Sequence, residues 1–308
     1  MNIKKHIKKF VKKNRELVYK LIIFLRFIPD KYYLRIIYRI KTGKKLRLDN
    51  PQTFNEKLQW LKLNDRQPVY TTMVDKYEVK KYVADKIGEK YIIPTIGVWD
   101  HFEDIDFDLL PDRFVLKCTH DSGGLILCED KSALDLKKAK KKIARSLHNN
   151  YYYIFREWPY KNVRPRIIAE EYMTDGSNIV PEDYKVYCFN GEPKYIVVFH
   201  NRFCNEKELS ETVYDTNWIP QDFSLDAHFA VSDMIEEKPA CLDELLNICS
   251  VLCQGIPQVR IDFYIIEQKI YFGEITLYTA SGLQKMIPEE MDAVIGRMLH
   301  FPPINQIR

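Results

Sequence analysis

The chain is short of glycine, has no paired cysteines and carries no long apolar run, and each shortage closes off a class of protein. Of its 308 residues only 11 are glycine. Neither a G-x-G-x-x-G fingerprint nor a GK[ST] loop occurs, which excludes dinucleotide-type and Walker-type phosphate loops. The seven cysteines are odd in number and scattered without a CxxC pair, so they indicate neither a secreted disulfide framework nor a cysteine-held zinc, and they suit a reducing cytoplasm. Cys249 and Cys253, one turn apart on an expected helix, read as buried structural thiols. The most apolar stretch, Leu17 to Ile28, is too short to span a bilayer and is interrupted by Lys20 and Arg26. No small-residue cleavage site follows it to mark a signal peptide.

What is present is ample apolar and aromatic material for one large or two modest domains, and a strongly uneven charge. The net charge is only +4, yet residues 1–47 alone carry about +14, with Glu16 and Asp30 their only acids. Ile3, Ile7, Phe10, Val11, Leu17, Val18, Leu21, Ile22 and Leu25 recur there at helical spacing among lysines, which predicts an amphipathic helix with a cationic face. Docking to an anionic membrane surface is one reading; a helix packed on the body with solvated lysines is the other. No nucleic-acid-binding motif accompanies the charge.

Along the chain, helices are expected over Thr53 to Leu63 and over Asp75 to Ile87, which ends at Gly88, with Asp49-Asn50-Pro51 as a break. Strands are expected from Ile92 to Val98, Arg113 to Cys118, Leu125 to Cys128, Arg166 to Met173, Asp183 to Phe189 and Lys194 to His200. A basic helix fills Lys131 to Asn150, and further helices cover Leu242 to Gln254 and Pro288 to Leu299. The fold class is α+β, behind a basic, mainly helical N-terminal region.

The segment from Val259 to Thr276 reads as two strands around the polar turn Glu267-Gln268-Lys269. Arg260 and Asp262 are two apart and share a face, and a hairpin brings Glu274 beside Asp262. Two carboxylates and an arginine at one spot suit hard cations and a phosphate or developing anion. Earlier, the strand ending in Lys117 leads through Ser122-Gly123-Gly124 into another strand, so backbone N–H groups of a small hairpin loop are available to close over phosphates. Taken alone, SGG is an ordinary turn. The strand Ile167-Ile168-Ala169 runs into Glu170, Glu171, Tyr172 and Met173, an edge of the kind that holds adenine through backbone groups and ribose through an acid. Asp183 and Lys185 share a strand face, and His200-Asn201-Arg202 offers a second anion contact.

In this order the pieces resemble the ATP-grasp superfamily, and within it the TupA-like ATP-grasp group found with bacterial surface-polysaccharide and teichuronopeptide synthesis. NPQTFNEKLQWLKL, DKYEVKKYV, VLKCTHDSGG, EEYM, DYKVYCFNGEPKYI, VRIDFY and GEITLYTASG carry the likeness across residues 50–300. The resemblance implies two α+β subdomains clasping ATP. It divides the chain into a basic helical region (1–49), a helical lead-in (50–90), a lid subdomain (91–170) and a C-terminal subdomain with the metal site (171–308). It implies that Lys76 and Lys117 hold phosphates, that Ser122, Gly123 and Gly124 form a lid, and that Glu170, Glu171, Tyr172 and Met173 hold adenine. Asp183 and Lys185 are similar to the polar pair near ribose and phosphate. Asp262 and Glu274 match magnesium ligands, and Arg260 matches the arginine that steadies an anionic intermediate. Thr276 stands where many members place a metal-binding asparagine, and Tyr278 to Gly282 form the substrate-side loop.

The activity so implied is a carboxylate–amine ligase using ATP and Mg2+, joining an amino acid or amine to the carboxylate of a uronic acid or acidic peptide on a lipid-linked glycan, at the inner face of the membrane. Three other readings share parts of the sequence. A sugar kinase would use the same carboxylates, a glycosyltransferase would rest on the DxD-like Asp104-Ile105-Asp106, and a membrane-recruited scaffold would have a degenerate ATP fold.

Overall fold

The computed structural model describes residues 23–175, 181–200, 209–227, 229–232 and 234–302. Most of the amphipathic helix expected at the N-terminus, together with Asn201 and Arg202, lies outside the described residues. The first long helix, α1 (Asp30–Thr42), ends at Gly43 in the left-handed region, φ +77°, where a side chain would be strained. It buries Tyr33, Leu34 and Tyr38, the last two in a satellite core with Leu46 and Leu48. Its other face exposes Tyr32, Ile36 and Ile40.

Helix α2 (Phe54–Asn64) starts where a capping box predicts: Thr53 accepts from the backbone of Glu56, and Glu56 reciprocates. The helix expected over Asp75 to Ile87 forms as α4 (Glu78–Ile87), three residues late, and a short helix without an expected counterpart, α3 (Val69–Val74), precedes it. The break between them is chemical. Asp75 Oδ1 accepts from the backbone N–H groups of Tyr77 and Glu78, an Asx cap that competes with helix continuation. Lys76 therefore sits on a turn, its backbone N–H donating to Thr119 O. The basic helix likewise starts late, as α5 (Leu136–His148), because Asp135 caps it by accepting from Lys138 N. A short α6 (Tyr152–Phe155) follows.

A four-stranded antiparallel sheet, in the order β1-β4-β2-β3, contains β1 (Thr95–Trp99), β2 (Phe114–Cys118), β3 (Leu125–Cys128) and β4 (Ile167–Glu171). Its apolar face packs Phe114, Leu116, Ile167 and Ala169 against Ala139 and Ile143 of α5. A six-stranded sheet, ordered β10-β9-β5-β6-β7-β8, contains β5 (Asp183–Phe189), β6 (Glu192–His200), β7 (Ser210–Asp215), β8 (Ala230–Val231), β9 (Gln258–Ile266) and β10 (Lys269–Thr276). Strand β7 has no counterpart among the expected elements, although its Thr-Val-Tyr run carries the β-branched and aromatic signal. The large sheet packs on α2, α3, α4 and α7 (Leu242–Leu252) in the main core. The last helix, α8 (Met291–Met298), lies against α2. The six described cysteines are all free and buried.

The hairpin β9–β10 turns through Glu267 and Gln268, both at positive φ (48° and 61°), the geometry of a two-residue type I′ turn. From that turn the pairing runs regularly to Phe272 opposite Phe263, then shifts by one residue, so that Glu274 rather than Gly273 stands opposite Asp262. Without this bulge Glu274 would face the other side of the sheet. Glycine permits it, since a Cβ on Gly273 would lie 3.0 Å from Asp262 O.

Candidate active site

A cavity of about 320 Å³ opens between the two sheets. The small sheet supplies one wall, with Lys117, the loop residues Ser122, Gly123 and Gly124, and beyond them Glu170, Glu171, Tyr172 and Met173. The large sheet supplies the other, with Asp183, Asp262, Tyr264 and Glu274, and Lys76 enters from the turn before α4. Of the fifteen residues singled out from sequence, twelve thus line one cavity although they lie far apart in the chain. Lys185 and Arg260 lie against Asp262, outside the lining. Thr276 is paired with Arg260, two residues along β10 from Glu274, and is not among the residues lining the cavity.

The carboxylate wall is held by cations. Arg260 donates through Nε to Asp262 Oδ1 at 2.6 Å and through a terminal nitrogen to Oδ2 at 2.8 Å. That nitrogen also donates to Glu274 Oε1 at 3.3 Å. Lys185 Nζ donates to Asp262 Oδ2 at 2.6 Å. Burial works to raise the Asp262 pKa, but Arg260 and Lys185 outweigh it and bring it to about 2. The same burial depresses the Lys185 pKa, against the opposing pull of Asp262. The strand face that bears Asp183 and Lys185, which alternation alone would expose to solvent, is therefore interior. Magnesium fits the chemistry of this donor set, since carboxylate oxygens suit it. Asp183 lies 3.8 Å from Lys185 on the same wall, so three carboxylates, Asp183, Asp262 and Glu274, stand against Arg260 and Lys185 and leave one net negative charge toward a cation.

On the opposite wall, Glu170 stands on the cavity face of β4 beside Lys117, and its carboxylate is engaged by cations. Its carboxylate bridges Lys117 at 2.5 Å and Lys80 at 2.7 Å. Burial pushes its pKa up, and the two lysines more than reverse this. Glu171 is the exposed acid of the pair. The Tyr172 hydroxyl donates to Glu129 at 3.0 Å, and Arg113 stacks 4.5 Å over its ring.

The glycine loop is anchored at its root and open at its tip. His120 Nε2 lies 3.1 Å from Ser146 O and 3.0 Å from Asn149 O, and Asp121 accepts from the Ser146 hydroxyl at the end of α5. Lys76 Nζ donates to Asp121 O at 2.5 Å. Ser122 and Gly123 stay exposed, with Gly123 at φ +115°, where only glycine is relaxed.

Two of the sequence readings point elsewhere than the cavity. Asp106 of the DxD-like fragment accepts from Asp108 N as a turn cap, and neither it nor Asp104 lines the cavity. His200 is buried on the reverse face of the large sheet. Conversely, Lys80 was not singled out from sequence; its signal is its place in the first turn of a helix that begins just after Lys76. Lys62 and Glu157 are buried opposite charges that both contact Ser281 of the 278–282 loop, without a direct ion pair. Lys62 Nζ donates to Ser281 O at 2.7 Å, Glu157 accepts from the Ser281 hydroxyl, and Ala280 and Ser281 both sit at positive φ (44° and 57°).

A family model described as TupA-like ATPgrasp matches residues 56–300. No curated protein matches the chain in sequence. Among solved structures it is similar to D-alanine–D-alanine ligase from Bacillus anthracis, at 18% identity and TM-score 0.36, over 73% of this chain and 59% of that one. D-alanine–D-alanine ligase from Helicobacter pylori is similar at 14% identity and TM-score 0.43, over 80% and 69%. The ATP-grasp ligase PsnB, complexed with a phosphomimetic variant of minimal precursor, Mg and ADP, is similar at 10% identity and TM-score 0.39, over 68% and 52%. The chain spans less than two thirds of the length of the first and third of these. At such identities and scores the likenesses carry no argument about activity.

Proposed function

The chain belongs to the TupA-like ATP-grasp family, and from that premise we propose that it is an ATP-dependent carboxylate–amine ligase working through an acyl phosphate. The observation that supports this most directly is the cavity between the sheets, where Lys76 and Lys117 face Asp262 and Glu274 across one space. Lys76 and Lys117 would neutralise phosphate oxygens, Lys117 exchanging Glu170 for its new partner. The Ser122–Gly124 tip would close over the phosphates, with Glu171, Tyr172 and Met173 at the base and Asp183 toward the ribose. Asp262 and Glu274 would hold magnesium, Thr276 being too far along β10 to serve without a local shift. Magnesium when bound supplies charge neutralisation at the transferring phosphoryl group.

The γ-phosphoryl passes to a carboxylate oxygen, releasing ADP. The amine nitrogen then attacks the acyl carbon, and phosphate leaves as the amide forms and the nitrogen loses its proton. Arg260, buried beside both carboxylates, would stabilise the oxyanion of the tetrahedral stage, a contribution worth about a hundredfold or more in rate. The substrate class we favour is an amino acid or amine donor, with the carboxylate of a uronic acid or acidic peptide of a lipid-linked bacterial surface glycan as acceptor. A lipid-linked acceptor fits a chain that carries Tyr32, Ile36 and Ile40 as an exposed stripe on α1 among Lys31, Arg35 and Arg39, a surface suited to anionic headgroups at the cytoplasmic side. No helix among the described residues is long and apolar enough to cross a membrane.

The test is a phosphate-release screen of amino compounds against uronic-acid glycans, run beside Asp262→Asn. The expected result is ATP-dependent phosphate release that needs both substrates and falls at least about a hundredfold in the variant. Turnover that survives in Asp262→Asn, or a phosphorylated sugar formed without free phosphate, overturns the reading.

A further inference from the structure

Three side chains that the proposed reaction leaves unused converge on the reverse face of the large sheet. Asp183 and Phe199 are a register pair on the cavity side, so the next residues outward, Glu182 and His200, point the other way. Glu236, from the segment after β8, closes the group. His200 Nδ1 lies 3.1 Å from Glu182 Oε1 and 3.3 Å from Glu236 Oε1. The histidine side chain is fully buried, while the two glutamates are 35% and 28% exposed.

Hydrogen bonding on the far side of the ring decides where its proton sits. His200 Nε2 is 3.0 Å from Thr212 Oγ1, and the Thr212 hydroxyl gives its single hydrogen to Met234 O at 2.9 Å. The threonine oxygen is therefore the acceptor and Nε2 carries the hydrogen. In the neutral ring Nδ1 then aims a lone pair at two carboxylates, three electron donors with no hydrogen between them. A cation at the centre turns that repulsion into ligation. Both separations match the ~3.3 Å edge of a tetrahedron whose ligands stand 2.0–2.1 Å from zinc.

We propose that Glu182, His200 and Glu236 bind one divalent transition-metal ion of the zinc class. A neutral imidazole with two carboxylates selects zinc over magnesium or calcium, which prefer oxygen alone. The Nε2–H bond to Thr212 is the outer hydrogen bond that fixes a ligating tautomer. The partly exposed glutamates leave a path for the ion and for a water as fourth ligand. The ion has a structural role: it ties the start of β5, the end of β6 and the segment around Glu236, one residue from Asp183 of the cavity.

The experiment uses the full chain, stripped with a chelator and titrated with Zn2+ against a chromophoric competitor, with Mg2+ in parallel and Co2+ read by its visible spectrum. One zinc per chain is expected, with affinity at least tenfold lower in His200→Asn and in Glu236→Gln and unchanged within twofold in Asp262→Asn. Zinc should raise the Tm of the wild type and leave that of Glu236→Gln unmoved, with circular dichroism checking that this half-exposed variant is folded. The proposal is overturned if no stoichiometric zinc binds at micromolar concentration, if both variants keep it, or if Asp262→Asn is the variant that loses it.

Discussion

Replacing Glu170 with glutamine tests the charge arrangement of the small-sheet wall. In the wild type this carboxylate, only 5% exposed, lies between Lys117 and Lys80, whose side chains are 17% and 12% exposed. At an effective dielectric constant near 20, each contact is worth about 6 kcal/mol of attraction, most of it offset by desolvating the ions. Glu170→Gln leaves two half-sequestered ammonium groups facing a neutral amide, and removing one partner of a buried pair costs about 3–5 kcal/mol. At roughly 2 °C per kcal/mol for a chain of this size, the Tm should fall by about 6–10 °C at pH 7. The pH dependence has a definite sign. Without Glu170, Lys80, whose pKa burial already holds down, loses its proton in the folded state further below its unfolded pKa of about 10.4. The unfolded chain then binds more protons, so variant stability rises with pH and the deficit narrows between about pH 7 and 9.5. On the acid side, Glu170 has a folded pKa held below its ordinary value. Its contribution is complete above about pH 4.3 and is lost as pH falls through the folded value, where the two proteins converge again. The assay is thermal unfolding followed by circular dichroism across pH 3–9.5. A variant within about 2 °C of wild type at pH 7, or a deficit that does not shrink toward pH 9.5, refutes the reasoning.

Three further outcomes follow from packing and charge. Gly296→Ala would set a Cβ 2.5 Å from Gln52 O and 2.7 Å from Phe54 N at the start of α2; urea denaturation should show a loss of about 1–3 kcal/mol or more. Lys62, fully buried, has its pKa drawn down to about 8 by burial, against Glu157. Lys62→Met should cost about 3–5 kcal/mol, and Lys62→Met with Glu157→Gln should recover most of it, a coupling that a double-mutant cycle reads directly. Ile36→Asp with Ile40→Asp should weaken co-sedimentation with phosphatidylglycerol vesicles at least tenfold while the Tm stays within about 2 °C. Unchanged vesicle binding removes the α1 stripe from the proposed membrane surface.

Much of the site was legible because its chemistry is carried by short strings. A lysine ending a strand, a serine–glycine–glycine loop, acids closing β4 and an R-x-D before a G-E are each set by residue identity and alternation, and twelve of the fifteen chosen residues line one cavity. Partnership was not legible. Glu170 and Glu171 are identical letters in adjacent positions, yet one is buried between Lys80 and Lys117 and the other faces solvent, because successive strand residues point to opposite sides. Lys80 escaped notice for the same reason, since it acquires its role only from a strand ninety residues away.

By itself the sequence determined most element types, the start of α2, the uneven charge and the inventory of groups able to handle phosphate, because those depend on neighbours in the chain. Tertiary structure decided which groups meet. Lys76 was set on the turn before α4, its backbone N–H tied to Thr119 O, forty-three residues away. The bulge at Gly273 turned Glu274 to the face of Asp262, a register that no alternation pattern specifies. His200, a plausible anion contact by its place beside Arg202, was carried to the reverse of the sheet to meet Glu182 and Glu236. Each of these outcomes depends on contacts between residues distant in the chain, and only a closed fold supplies them.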